Sequence, residues 1–174
     1  MEYNKDKIEI CEKKRKGSKN LTYEIIYDTW NKIIFNMDNI LIPFGIENYG
    51  VKKIINLEIS KKNNDHYNFL QCIKKIEEII INICKDNDEF KEKNFYSSLK
   101  KRGNSLIHIR THLLCSGKNI KTKFMKMGKE DNTILLNKKD NLDKYKCKII
   151  LDSIWIHNNE YGLVWMLEEI NNIN

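Results

Sequence analysis

The chain has 174 residues, 31 Lys and Arg against 24 Asp and Glu, and a net charge of +7; its single Pro and seven Gly exclude collagen-like, linker-like and repeat classes. The length suits one domain whose core needs neither metal nor disulfide staples. No apolar run approaches the roughly 18 residues that span a bilayer, and five cysteines (Cys11, Cys72, Cys84, Cys115, Cys147) without a CxxC spacing point to a reducing compartment and to small core residues.

Residues 1–20 are charged, lack a steady period and contain no apolar h-region. We expect a flexible basic N-terminal segment there, no secretory leader, and a folded domain over 21–174. The "KKRK" of Lys13 to Lys16 reads as a solvated tail or as a nuclear-import or phosphate-contacting patch. From Leu21 to Phe35, β-branched and aromatic residues predict strands. "NILIPFGIENYG" follows, a bend marked by Pro43, Gly45 and Gly50, and then "VKKIINLEIS" alternates as a further strand.

The period then changes. In "HYNFLQCIKKIEEIIINICKDN", Phe69, Cys72, Ile73, Ile76, Ile79, Ile80 and Ile83 fall at helical spacing, with Lys74, Lys75, Glu77 and Glu78 mostly off the stripe. This predicts an amphipathic helix packed on a sheet. Period two returns in "SLIHIRTHLLCSG", "KNIKTKFMKMG" and "TILLN". In the closing "KYKCKIILDSIWIHNNEYGLVWMLEEI", two apolar runs flank a hairpin turn at "HNNE". Strands, one long helix and more strands describe a mainly β, α+β domain, a small barrel or sandwich with a helix against it.

Between Ser97 and Lys129 there are nine Lys or Arg and no Asp or Glu, so the rest of the chain, 22 basic against 24 acidic, nets −2. If "LIHIRTHLL" is a strand, Ile107, Ile109, Thr111 and Leu113 face one side, and His108, Arg110, His112 and Leu114 the other. On the next strand Lys121, Lys123 and Met125 share one face. Lys100, Lys101, Arg102 and Lys118 sit in flanking turns. Two neighbouring strands would then present a cationic row, which suits a polyanion. Exposed aromatic rings beside such a row suit single-stranded nucleic acid, whose bases stack on them. Tyr96 is the first candidate, followed by Trp155 and Tyr161 beside the last turn, then Trp30, Phe44 and Trp165. As a helix, the same segment would gather His108, His112 and Cys115 as metal ligands. As a strand it turns Cys115 away from the histidines, and no fourth ligand is evident. No P-loop, dinucleotide fingerprint, HExxH or GxSxG motif occurs, so nothing nominates an enzyme.

Two stretches carry a family resemblance. "ILIPFGIENYGVKKIINLEIS", with Pro43, Phe44 and Gly45, and "CKIILDSIWIHNNEYGLVWMLEEI", with Cys147, Trp155, Tyr161 and Gly162, resemble a protein family of large nucleocytoplasmic DNA viruses. That resemblance implies an OB-like β-barrel that binds single-stranded DNA in viral replication, recombination or repair. In this chain Ser97 stands where the family's aromatic-x-Pro-Ser element has Pro. The expected ligand is single-stranded DNA, or RNA, bound without sequence preference and without a cofactor. Phosphates would meet Lys100, Lys101, Arg102, His108, Arg110, His112, Lys118, Lys121 and Lys123, and bases would meet Tyr96, Trp155 and Tyr161. Replication proteins or a second copy of the chain are the expected protein partners. The host cytoplasm with its viral factory, the virion core or the nucleus is the expected location. The alternative is a non-enzymatic structural or adaptor protein of a virion or replication complex, its basic face meeting an acidic protein.

Overall fold

The computed structural model describes residues 4–13, 22–116, 119–131 and 143–173. The strands before the helix are β1 (Ile8–Lys13), β2 (Thr22–Tyr27), β3 (Ile33–Ile40), β4 (Ile46–Tyr49) and β5 (Lys52–Ser60). Helix α1 spans Asn64–Lys85. It is followed by β6 (Asn94–Tyr96), β7 (Leu99–Arg102), β8 (Leu106–Leu113), β9 (Cys115–Ser116), β10 (Asn119–Ile120), β11 (Lys123–Lys126) and β12 (Lys129–Glu130). The chain returns with β13 (Tyr145–His157) and β14 (Glu160–Asn172). The domain is mainly β with one helix, as the sequence implies.

The two longest strands organise the rest. β13 and β14 form an antiparallel hairpin across Asn158 and Asn159, the turn expected from "HNNE", with Asn158 at φ 51°. β14 has β13 along one edge. Its other edge takes three short parallel partners in succession: β6 at Glu160–Gly162, β8 at Trp165–Leu167 and β11 at Glu169–Asn172. The outer edge of β13 takes β3 and then β2. Continuing from β14, the order is β8, β5, β4. A single bridge between Leu41, just past β3, and Glu58 of β5 spans the gap between the sheet's two flanks, with the Glu58 N–H donating to the Leu41 carbonyl at 2.8 Å. The expected barrel is therefore an open, strongly rolled sheet; no ladder closes it among the described residues.

Three expectations are corrected. The N-terminal segment is not uniformly loose, because Ile8–Lys13 pairs residue for residue with β2 and buries Ile8. Apolar side chains at Ile8 and Ile10 provide the strand alternation, whereas residues 14–20 lie outside the described residues. The bend at Pro43 is followed by a strand, β4, which pairs with β5 around a tight turn holding Gly50 at φ 59°. Finally, β11 does not neighbour β8. One edge of β8 is taken by β5 and the other by β7 and β14, so no backbone donors remain for β11. "TILLN" and Lys118 fall outside the described residues.

Helix α1 begins at an Asn63 cap whose side-chain oxygen accepts from the N–H groups of Asp65 and His66. It buries Phe69, Leu70, Ile73, Ile76, Ile80 and Cys84 in the sheet's concave side, each large apolar side chain worth roughly 1.5–3 kcal/mol. Cys72, Ile79 and Ile83 sit at the margins of that stripe. The core is completed by Ile55, Leu57, Ile59, Ile107, Ile109, Ile149, Leu151, Trp165 and Leu167.

Cys84 and Cys147 are buried core thiols, while Cys11 and Cys115 are exposed. Burial pushes the Cys84 thiol up to about 12 and raises that of Cys147 as well. Because the thiolate is the nucleophile, brief alkylation of the native protein at mildly alkaline pH is expected to label Cys11 and Cys115 and to spare Cys84 and Cys147, as read by peptide mass spectrometry. Equal labelling of Cys84 would contradict this core.

Candidate nucleic-acid interface

β8 alternates as its sequence predicts: Ile107, Ile109, Thr111 and Leu113 are buried, and Arg110 is exposed on the opposite face. Paired residues in neighbouring strands point to the same side of a sheet. The ladder registers therefore define everything on the outer face with Arg110. From β7 come Lys100, opposite His108, and Arg102, opposite Leu106. From β5 come Asn56, opposite Arg110, and Glu58, opposite His108. Lys52 continues that face of β5 and lies opposite Tyr49 of β4. From β14 comes Met166, opposite His112, and four residues back along the same face lies Gly162, flanked by Tyr96 of β6 and Trp155 of β13.

On this face each cation of a set of three sits over an aromatic ring. Lys100 Nζ lies 3.0 Å from the Tyr96 ring centroid, the Arg102 guanidinium carbon 4.9 Å from that of Phe44, and the Arg110 carbon 4.7 Å from that of Tyr49. Such pairs contribute about 0.5–1 kcal/mol when exposed. They also hold flexible cations extended along the sheet rather than free in solvent. Tyr96 and Tyr49 are 47% and 56% exposed, so both can accept a stacking partner. Tyr96 and Trp155 meet edge to face, with centroids 6.1 Å apart. Gly162 lies between them; a Cβ there would sit 2.8 Å from Trp155 Cζ2 and 2.7 Å from the Tyr96 carbonyl oxygen. The missing side chain lets the indole lie flat on the sheet.

Of the carboxylates on this face, the two beside His108 and Asn56 are engaged sideways. Glu58 pairs with His108 Nε2 at 2.9 Å, and Glu47 accepts from Asn56 Nδ2 at 2.6 Å. Neither forms an ion pair with Lys100, Arg102 or Arg110 among the described residues.

The expected site thus resolves into parts. Tyr96, Trp155, Lys100, Arg102 and Arg110 come together. Lys101 is exposed but alternates to the other side of β7, opposite Ile107. Lys121 and Lys123 are both exposed, Lys123 in register with Glu169 toward the far end of β14 and Lys121 with its N–H on the Leu114 carbonyl just past β8. Seven residues separate Glu169 from the Gly162 that faces Tyr96, about 23 Å along the strand. Tyr161 is no stacking platform: it is 3% exposed, packed edge to face against Phe90 and Phe95. Trp165 is fully buried, its Nε1–H donating to Ser98 Oγ at 3.0 Å. His108 is buried against Glu58 and Phe44.

His112 is held neutral. Burial, then the charges of Lys52 and Arg110, lower its pKa from 6.5 to about 4, against a small opposing pull from Asp152. It therefore offers no cation to a phosphate at neutral pH. A folded-state pKa below the unfolded value means the unfolded chain binds more protons between pH 6.5 and 4. The stability held above pH 6.5 is accordingly lost as pH falls toward 4. His112→Gln is expected to flatten that part of a pH series of urea midpoints; an unchanged profile would show that His112 is not the titrating group. The metal reading of His108, His112 and Cys115 finds no support, since no three His, Cys, Asp or Glu side chains cluster as a metal site among the described residues. No helix among them is long and apolar enough to cross a membrane.

Sequence reasoning missed Tyr49 and Lys52, and named Gly162 only within the family resemblance, with no role in the site. A glycine inside a strand between aromatic residues was the available signal for the last of these. It left open the turn where Ser97 replaces Pro. There the Ser97 hydroxyl accepts from the Leu99 N–H at 3.1 Å, one of the hydrogen bonds that close the turn.

No protein-family model and no curated protein sequence matches the chain. Solved structures do. The fold is similar to that of gp2.5, a single-stranded DNA binding protein encoded by bacteriophage T7, with a TM-score of 0.55 at 14% identity over 82% of this chain and 86% of that one. It is also similar to the single-stranded DNA-binding protein of bacteriophage Enc34 in complex with ssDNA, with a TM-score of 0.52 at 14% identity over 94% of both chains. A C-terminal truncation of the Enc34 protein gives 0.51 at 15% identity, again over 94% of both. At such identities the likeness is one of fold.

Proposed function

We propose that this chain is an OB-like, non-enzymatic protein that binds single-stranded DNA without sequence preference. The observation that carries the reading is the triad of cation-on-ring pairs on one sheet face, Lys100 on Tyr96, Arg102 on Phe44 and Arg110 on Tyr49. A single strand offers both things such a face can use. Phosphates take the cations with release of counterions, and unpaired bases take the rings, each stack worth roughly 1–3 kcal/mol. A duplex hides its base faces and would use only the charges. The bridge from Leu41 to Glu58 supports an OB-like barrel drawn nearly closed, and the phage single-stranded DNA-binding proteins of similar fold support the ligand class. In this reading the protein serves viral DNA replication, recombination or repair, in a giant virus with its factory in the host cytoplasm. Residues 21–174, with β1 added to their sheet at β2, act as its binding domain.

The test is an anisotropy titration with oligo-dT, a mixed-sequence single strand, the matching RNA and the duplex, across a salt series. Tight, salt-steep binding to both single-stranded DNAs, with weaker binding to duplex, is expected. A matching RNA bound more tightly would transfer the reading to RNA. Failure to bind any of the four would sink it and leave the adaptor alternative, in which the same face meets an acidic protein.

A further inference from the structure

Glu77 is the one buried Asp or Glu among the described residues. It lies on α1, on the side of the sheet away from the cation-bearing face. Burying a carboxylate is costly unless its oxygens are fully used. Both are used here, and on one target. Oε1 accepts from the Ser98 N–H at 2.7 Å, and Oε2 accepts from the Ser97 hydroxyl at 2.8 Å. Ser98 Oγ in turn accepts from Trp165 Nε1–H.

Ser97 and Ser98 form the joint where the chain leaves β14 as β6 and joins β8 as β7. Tyr96 is the last residue before the joint, and Lys100 the second residue after it. The joint links that ring to its cation, and Glu77 bonds it at two consecutive residues. We propose that Glu77 is a positioning residue for the nucleic-acid face: from beneath the sheet it fixes Tyr96 and Lys100 as a preassembled stacking and phosphate-binding pair. This rests on the functional reading above, but its geometric half does not.

The experiment uses the full chain with Glu77→Ala, Glu77→Gln and Ser97→Ala. Two readouts are taken: the upfield ring-current shift that Tyr96 imposes on the Lys100 ε-methylene protons, and oligo-dT affinity over a salt series. Glu77→Ala is expected to abolish the shift and weaken binding about tenfold, with the salt slope unchanged because no cation is removed. Glu77→Gln keeps an oxygen for the Ser98 N–H and is expected to retain most of both. Ser97→Ala, which removes the donor to one carboxylate oxygen and leaves the Ser98 N–H on the other, gives an intermediate result and serves if Glu77→Ala does not fold. A folded Glu77→Ala protein with the native shift, or with native affinity, overturns the proposal. Should the unaltered protein bind no oligonucleotide, the functional reading fails by itself, and the Lys100 shift still decides whether Glu77 holds the pair.

Discussion

A Lys100→Glu, Arg110→Glu double variant is expected to bind oligo-dT about 100-fold more weakly than the unaltered chain, some 2.7 kcal/mol. The slope of log K against log salt should fall by about 1.4, roughly 0.7 for each single-strand phosphate that no longer meets a cation. Both residues lie on the outer face and form no ion pair with a carboxylate among the described residues. The loss of stability should therefore be limited to what the two exposed cation–ring pairs contribute, about 0.5–1 kcal/mol each. The decisive control is Lys101→Glu. Lys101 is the residue after Lys100, carries the same charge and is exposed, yet it alternates to the opposite side of β7. If charge count alone drove binding, Lys101→Glu would cost as much as either single change. If the face does, it should cost little. Equal weakening at Lys100 and Lys101 would refute the site while leaving a basic protein that binds nucleic acid diffusely.

What the sequence could show follows from range. The period of α1 and the alternation of β8 depend on neighbours within a few residues, and both are legible: Ile73, Ile76 and Ile80 are buried on the helix, and Arg110 points out between His108 and His112. Pairing depends on which edges remain unsatisfied after the rest has formed. That is why Lys123, close in sequence to β8, ends beside β14, while the Lys121 N–H donates to the Leu114 carbonyl just past β8 at 2.6 Å. The ring partners of Arg102 and Arg110 come from Phe44 and Tyr49, more than fifty residues away, and no local pattern announces them. One miss was avoidable. A two-residue turn at Asn158 and Asn159 forces Trp155 opposite Gly162 and Ile156 opposite Tyr161. Parity then sends the indole out and the Tyr161 phenol into the core, so both cannot be stacking platforms.

That parity gives Gly162 a role that a single methyl can test. Gly162→Ala is expected to destabilise the protein by about 1–3 kcal/mol in urea unfolding, the ordinary cost of overpacking. The new Cβ would meet Trp155 ring atoms at 2.8 and 2.9 Å and the Tyr96 carbonyl oxygen at 2.7 Å. The carbonyl belongs to β6, which is tied to β14 by its ladder and cannot retreat without breaking it. The indole can move, and moving it dismantles the Trp155–Tyr96 platform. Oligo-dT affinity should therefore fall about tenfold, within the range of one base stack, although no cation and no ring has been removed. Trp155→Ala separates the two clashes. In the Gly162→Ala, Trp155→Ala pair the ring is gone and only the clash with the carbonyl persists, so the double variant should be more stable than the sum of the two single effects predicts. The coupling should lie in the roughly 0.5–3 kcal/mol range seen for touching residues. Additive effects would mean that the indole does not lie over Gly162, and the aromatic half of the face would have to be sought at Tyr49 and Phe44 instead.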